Sequence, residues 1–241
     1  MVDFSWDARY LVPLTALVCL AVGFLTYLAL LVSASFERRL LDRYGADQGQ
    51  TWHVLWANKW SGFLLLGLLP ALVIVFFLRL PLSDFGAGPV TRQATYAWMA
   101  GFGGLVLVVN WLQARRPAHY AVYPLIRRAR WTPALLFSSL LASSAFIVAY
   151  EFLFRGFLLF ASVPLMGVHV AIAVNVIVYA LAHIHKGMGE TLGSVPLGIL
   201  LCWITLSTGT IWAVVVIHLA LTLSADVFAL YFNPNMKIES A

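Results

Sequence analysis

Charge is what this chain has least of. Its 241 residues include only 15 Lys and Arg and 10 Asp and Glu, or 10% charged. A soluble globular domain carries about 25%. With 62% hydrophobic residues and a mean hydropathy of +0.89, this scarcity excludes an ordinary water-soluble fold. No charged stretch is long enough to form a separate soluble domain. The two cysteines, Cys19 and Cys202, both fall in apolar runs, so no disulfide framework is implied. Internal repeats and low-complexity segments are missing too. The N-terminus sets Asp3 and Asp7 against Arg9 and so lacks a basic leader. The first apolar run, 10–36, far exceeds the ~7–15 residues of a signal-peptide core, and is expected to stay as a membrane helix.

What is present is a series of apolar runs. A spanning helix needs about 20 such residues. The runs predict an all-α, polytopic membrane bundle with helices near 10–35, 55–79, 94–113, 133–160, 166–184, 194–207 and 209–232. An eighth, interfacial helix fits within 117–131. The whole chain, 1–241, reads as one integral membrane domain. The net charge of +5 reports topology and contact with the lipid bilayer, and no aromatic-plus-basic pattern argues for nucleic acid. Loops 36–53 (Arg38, Arg39, Arg43) and 114–131 (Arg115, Arg116, Arg127, Arg128, Arg130) hold most of the arginines. Both are expected on the cytoplasmic side, with the N-terminus outside. Trp52, Trp56 and Trp60 repeat every four residues and suit an interfacial anchor. Pro13 and Pro70 are expected to kink their helices or sit near the ends.

Against this background a few polar residues stand out. Charged side chains inside membrane segments are costly and mark functional sites. Glu151 and Arg155 lie four apart in an apolar run, on one helix face. Asn175, Tyr179 and His183 repeat every four residues, with His185 just beyond, and so do His218, Thr222 and Asp226. Helix rise places Glu151 roughly 20 Å, and His183 roughly 25 Å, from a turn near 163–167. His218 and Thr222 lie roughly 14 and 20 Å from the start of the last helix. Three helices thus bring Glu151, His183 and His218 to a similar depth. Asn175 reads as a packing residue, Asp226 as solvated or interfacial, and His119 and His169 as structural or solvated. The serines at 138, 139, 143 and 144 read as a small-residue packing face.

A carboxylate and an imidazole on facing helices can share a water and deprotonate it. A second imidazole can donate to the oxyanion of a tetrahedral intermediate. Peptide hydrolysis within the membrane is the reaction that fits. Glu151, His183 and His218 also match a zinc site with one open position. The chain lacks a His-Glu-x-x-His spacing, so zinc is the weaker reading and no cofactor is expected.

The run Glu151-Phe152-Leu153-Phe154-Arg155-Gly156 resembles the first motif of the CAAX prenyl protease and bacteriocin-processing family. These CPBP or Abi-type proteins are intramembrane proteases. Their motif is usually two glutamates, three residues, arginine and often glycine. Tyr179-Ala180-Leu181-Ala182-His183 is similar to the second motif, and Thr208-Gly209-Thr210-Ile211-Trp212 through His218 to the closing segment. The resemblance covers the core at 133–230, whereas 1–130 match only as generic membrane helices. It implies a metal-independent endopeptidase, open to the cytoplasm, that needs no cofactor.

 The substrate it implies is a peptide or membrane protein, including lipid-modified tails. A multi-pass protein of the bacterial cytoplasmic membrane is the expected setting.

On the endopeptidase reading, Glu151 is the general base, His183 positions the water, and His218 with Thr222 forms the oxyanion site. Arg155 keeps Glu151 ionised, and Tyr179 supports the second motif. Two positions depart from the family pattern. Tyr150 stands where the leading glutamate is usual, and Thr222 where asparagine or aspartate is usual. A phenol of pKa ≈ 10 is a poor base at neutral pH. Two other readings therefore stay open: a non-catalytic, protease-like scaffold, and a small transporter, which the missing internal repeat disfavours.

Overall fold

The computed structural model describes residues 7–184 and 187–239, so His185 lies outside the described residues. Seven helices organise it: α1 (Leu11–Leu31), α2 (Ala34–Tyr44), α3 (Ala46–Leu78), α4 (Gln93–Ala114), α5 (Pro133–Ala182), α6 (Met188–Thr208) and α7 (Trp212–Phe232). All except α2 are long and apolar enough to cross a membrane. The protein is an all-α, polytopic helical bundle.

At 50 residues, α5 would measure about 75 Å if straight, more than twice a ~30 Å hydrocarbon core. Gly167 divides it, with φ 76° and ψ 164°, a conformation open in practice only to glycine. The break falls where the sequence predicts a turn. Counting the two arms of α5 separately yields the seven crossing segments that the apolar runs predict.

Several boundaries differ from expectation. The first helix stops at Leu31, and the stretch 36–53 is helical instead of a loop. Ser33 caps α2 by accepting from the Phe36 amide at 3.2 Å, Glu37 sits in the first turn and Arg43 in the last. Gly45, with φ 78°, ends the helix. The helix near 194–207 starts earlier, at Met188, after Gly187 at φ 101°. No interfacial helix fills 117–131: a single turn, Pro117–Tyr120, leads into irregular chain.

That irregular chain ends in β1 (Arg130–Trp131), which pairs in parallel with β2 (Lys237–Ile238). Trp131 is buried and donates through Nε1 to the Arg128 carbonyl at 3.0 Å. The pairing fixes the C-terminal segment at the same end of the bundle as the basic 114–131 segment. At the opposite end, the Thr210 hydroxyl donates to the Gly86 carbonyl at 2.9 Å and Trp212 Nε1 to that of Gly88 at 2.9 Å. Asn110 Nδ2 joins α4 to α7 by donating to Leu221 O at 2.7 Å and Ser224 Oγ at 2.8 Å. Pro70 lies in a single α-helical turn between two π-wound stretches of α3, and Pro13 lies near the start of α1. Trp52 and Trp56 remain exposed, as an interfacial anchor requires.

Candidate active site

The site forms where α5 changes its winding. Regular α-helix ends at Glu151, and Phe152–Leu158 is wound as π-helix. Such wider turns recur at functional sites, and they displace backbone groups from the regular ladder. Asn175, on the second arm, donates through Nδ2 to the Phe154 carbonyl at 2.6 Å, while its Oδ1 accepts from the Cys202 thiol at 3.2 Å. Asn175 is thus the packing residue that its spacing suggests. Gly156 lets this stretch approach the 82–85 turn, because a Cβ there would stand 2.9 Å from the Phe85 carbonyl oxygen.

Glu151 and Arg155 are completely buried. Arg155 Nη1 lies 3.4 Å from Glu151 Oε2 and 3.5 Å from Oε1. The guanidinium carbon also lies 3.9 Å from the Tyr179 ring centroid, within cation–π range. Across the bundle, His218 Nδ1 meets Glu151 Oε1 at 2.5 Å, joining α5 to α7. His183 caps the end of α5, with Nδ1 2.9 Å from the Tyr179 carbonyl. Tyr150 packs against both imidazoles: its ring centroid is 6.3 Å from that of His183 and 6.2 Å from that of His218, edge to face in both cases.

These residues border a cavity of about 650 Å³. Tyr150, Tyr179, His183, His218 and Thr222 line it, whereas Glu151 and Arg155 are set behind its wall. Phe24, Tyr27, Leu31, Phe146 and Ile147 supply an apolar side. Successive turns of α7 carry the wall from His218 through Thr222 to Asp226, towards the end bearing the basic segments. Tyr123 lines that end, and burial, reinforced by nearby Glu190 and Asp226, pushes its phenol up to about 12.

The structure therefore brings Glu151, Arg155 and His218 into direct contact, sets His183, Tyr150 and Tyr179 beside them, and puts Thr222 on the same wall. Asp226, read from sequence as solvated or interfacial, lines the cavity instead. His169 is exposed, and His119 Nε2 lies 3.3 Å from the Ala225 carbonyl. Sequence reasoning passed over Lys59, which is buried, lines the cavity and stands 5.3 Å from the Phe146 ring. Its signal was available, as a lone cation in an apolar run. Asn110 and Gln113 on α4, which also line the cavity, were passed over as well.

Residues 131–224 match the family model described as type II CAAX prenyl endopeptidase, Rce1-like. The match contains Glu151, Arg155, His183, His218 and Thr222. No curated protein and no solved structure matches the chain. Residues 131–224 of this multi-pass membrane bundle are thus similar to the type II CAAX prenyl endopeptidases described as Rce1-like.

Proposed function

We propose that the protein is an intramembrane endopeptidase in which Glu151 acts on water through His218. The observation that carries this reading is the 2.5 Å contact between Glu151 Oε1 and His218 Nδ1, with His218 on the cavity wall and Glu151 behind it. A carboxylate bound to Nδ1–H fixes the imidazole tautomer and leaves Nε2 as the basic nitrogen. Water held near Nε2 loses its proton to His218 as it attacks a scissile carbonyl, and Glu151 stabilises the imidazolium. Arg155 keeps Glu151 ionised. His183, whose Nδ1–H donates to the Tyr179 carbonyl, has Nε2 as an acceptor that orients the water. When the intermediate collapses, His218 returns the proton to the leaving amine.

The substrate class is a peptide bond in a membrane-associated or lipid-modified protein. A cavity of about 650 Å³ with one apolar side is of the size that holds such a segment. It reaches Val122, Tyr123 and Leu125 of the basic 114–131 segment, so entry is from the cytoplasmic side under the positive-inside rule.

No step passes through zinc, because the donors do not fit it. His218 Nδ1 and Glu151 Oε1 are engaged with each other, and the Tyr150 ring packs against both imidazoles. Among the described residues, no three His, Cys, Asp or Glu side chains are grouped to hold a metal.

The test is cleavage of quenched-fluorescent peptides, with and without a farnesylated cysteine, by purified protein in nanodiscs. Glu151→Gln and His218→Gln should each abolish turnover while helicity is retained. Turnover by Glu151→Gln at the wild-type rate rejects the assignment. A scaffold reading is favoured by one observation, the Tyr150 ring packed against both imidazoles. It predicts peptide binding without cleavage by the wild-type protein.

A further inference from the structure

We infer that Tyr150 is a catalytic residue of this protein, its phenol supplying the hydrogen bond that stabilises the oxyanion. The inference rests on the reaction proposed above, and it begins from a shortage of donors. In the neutral state each imidazole has one N–H. That of His218 is directed to Glu151, at 2.5 Å, and that of His183 to the Tyr179 carbonyl, at 2.9 Å. Neither histidine then has a second N–H for a developing oxyanion. Arg155 is fully buried behind the wall, against Glu151 and the Tyr179 ring, and does not line the cavity. Donors that remain on the cavity wall include the hydroxyls of Tyr150 and Thr222, and Tyr150 is the one that packs against both imidazoles.

Tyr150 has the placement this requires. It is 6% exposed, lines the cavity, and packs edge to face with both imidazoles. Phe146 and Phe154 hold its ring, with centroids at 5.6 and 4.6 Å. A buried phenol fixed in this way is a preorganised donor, so it costs little reorganisation as charge develops. The ordinary phenol pKa of about 10 makes it a poor base and a competent donor at neutral pH.

The step balances as follows. Water oxygen bonds to the scissile carbonyl carbon, and the water proton passes to His218 Nε2. The carbonyl π pair moves to oxygen, which accepts a hydrogen bond from the Tyr150 O–H without taking its proton. As the C–N bond breaks, the carbonyl re-forms and His218 protonates the departing amine. Tyrosine in place of glutamate at position 150 thus shifts that position from proton acceptor to hydrogen-bond donor, and leaves the base to the Glu151–His218 pair.

The experiment compares wild type, Tyr150→Phe, Tyr150→Glu and Glu151→Gln on the same farnesylated and unmodified peptides. Tyr150→Phe keeps the ring and removes the hydroxyl. It should lower kcat about 10²–10³-fold, the usual loss for one oxyanion donor, with KM little changed. A peptide aldehyde, which forms a tetrahedral hydrate, should lose affinity for Tyr150→Phe while the parent peptide does not. A Tyr150→Phe variant with wild-type kcat overturns the inference, and if Glu151→Gln is still inactive the proposed reaction survives it. A Tyr150→Glu variant faster than wild type also overturns it, because tyrosine would then be a degenerate replacement. Wild-type protein that cuts none of these peptides counts against both the reaction and the role of Tyr150.

Discussion

Glu151 and His218 touch across the bundle, Oε1 to Nδ1 at 2.5 Å, and so couple the first arm of α5 to α7 in the deepest part of the site. Residues that act as one unit give non-additive losses when removed. Glu151→Gln, His218→Gln and the double variant should therefore all fall to a similar residual rate. Each loss is expected to be at least about 10²-fold, the lower end for general-base catalysis. Single-turnover assays of the three variants check this. Losses that multiply in the double variant would mean that the two residues act separately.

Arg155 compensates the charge of Glu151 where neither side chain meets solvent. Removing one partner of a buried pair costs about 3–5 kcal/mol, since the other charge is left uncompensated. Arg155→Met should lower thermal stability in detergent by an amount of that order. Adding Glu151→Gln to Arg155→Met should recover much of it. Differential scanning fluorimetry on both variants reads the recovery, and its absence would show that Arg155 acts through packing against Tyr179 instead.

Much of this site was legible because the membrane makes polar residues rare. Glu151, Arg155, His183 and His218 stand out from apolar runs, and helix rise alone sets them at similar depth. The break at Gly167 was legible from the length of the apolar run on either side. The winding change at Phe152–Leu158 was not, because π-helix and α-helix draw on the same apolar residues. The partner of Glu151 was equally hidden, since contact across 67 residues depends on packing. Lys59 was masked by the tryptophan repeat around it, and α2 by a search for runs of about 20 apolar residues.

The donor geometry around Tyr150 leads to an expectation about metal. Protein purified without chelators should hold well below one zinc per chain by elemental analysis. Peptide cleavage should be unchanged by a membrane-compatible chelator. Stoichiometric zinc that is lost in His183→Ala or His218→Ala would mean that the site rearranges to bind metal, and would reassign Glu151 as a ligand.

Tyr123 offers a pH test outside the spanning helices. Burial, together with nearby Glu190 and Asp226, raises its phenol from 10.0 to about 12. The folded state therefore keeps this proton at pH values where the unfolded chain loses it. The stabilising contribution is complete below pH 10 and is lost as pH rises towards 12. Unfolding curves between pH 9 and 12 should fall more steeply for wild type than for Tyr123→Phe. Parallel curves would place the phenol in an environment close to water.

Asn175 links the winding of α5 to the site chemistry. Its Nδ2 satisfies the Phe154 carbonyl within the π stretch that joins Glu151 to Arg155. Asn175→Leu keeps a side chain of similar length and leaves that carbonyl without its donor, at a cost of about 1–3 kcal/mol. The same loss frees the stretch to rewind, which would turn Glu151 relative to His218. Stability should therefore drop by that amount, and kcat should fall more than the fraction unfolded explains. Asn175→Asp should not rescue either property, because a carboxylate cannot donate to a carbonyl. Measuring kcat per folded molecule in both variants separates the two effects. A kcat that tracks the folded fraction alone would confine Asn175 to packing.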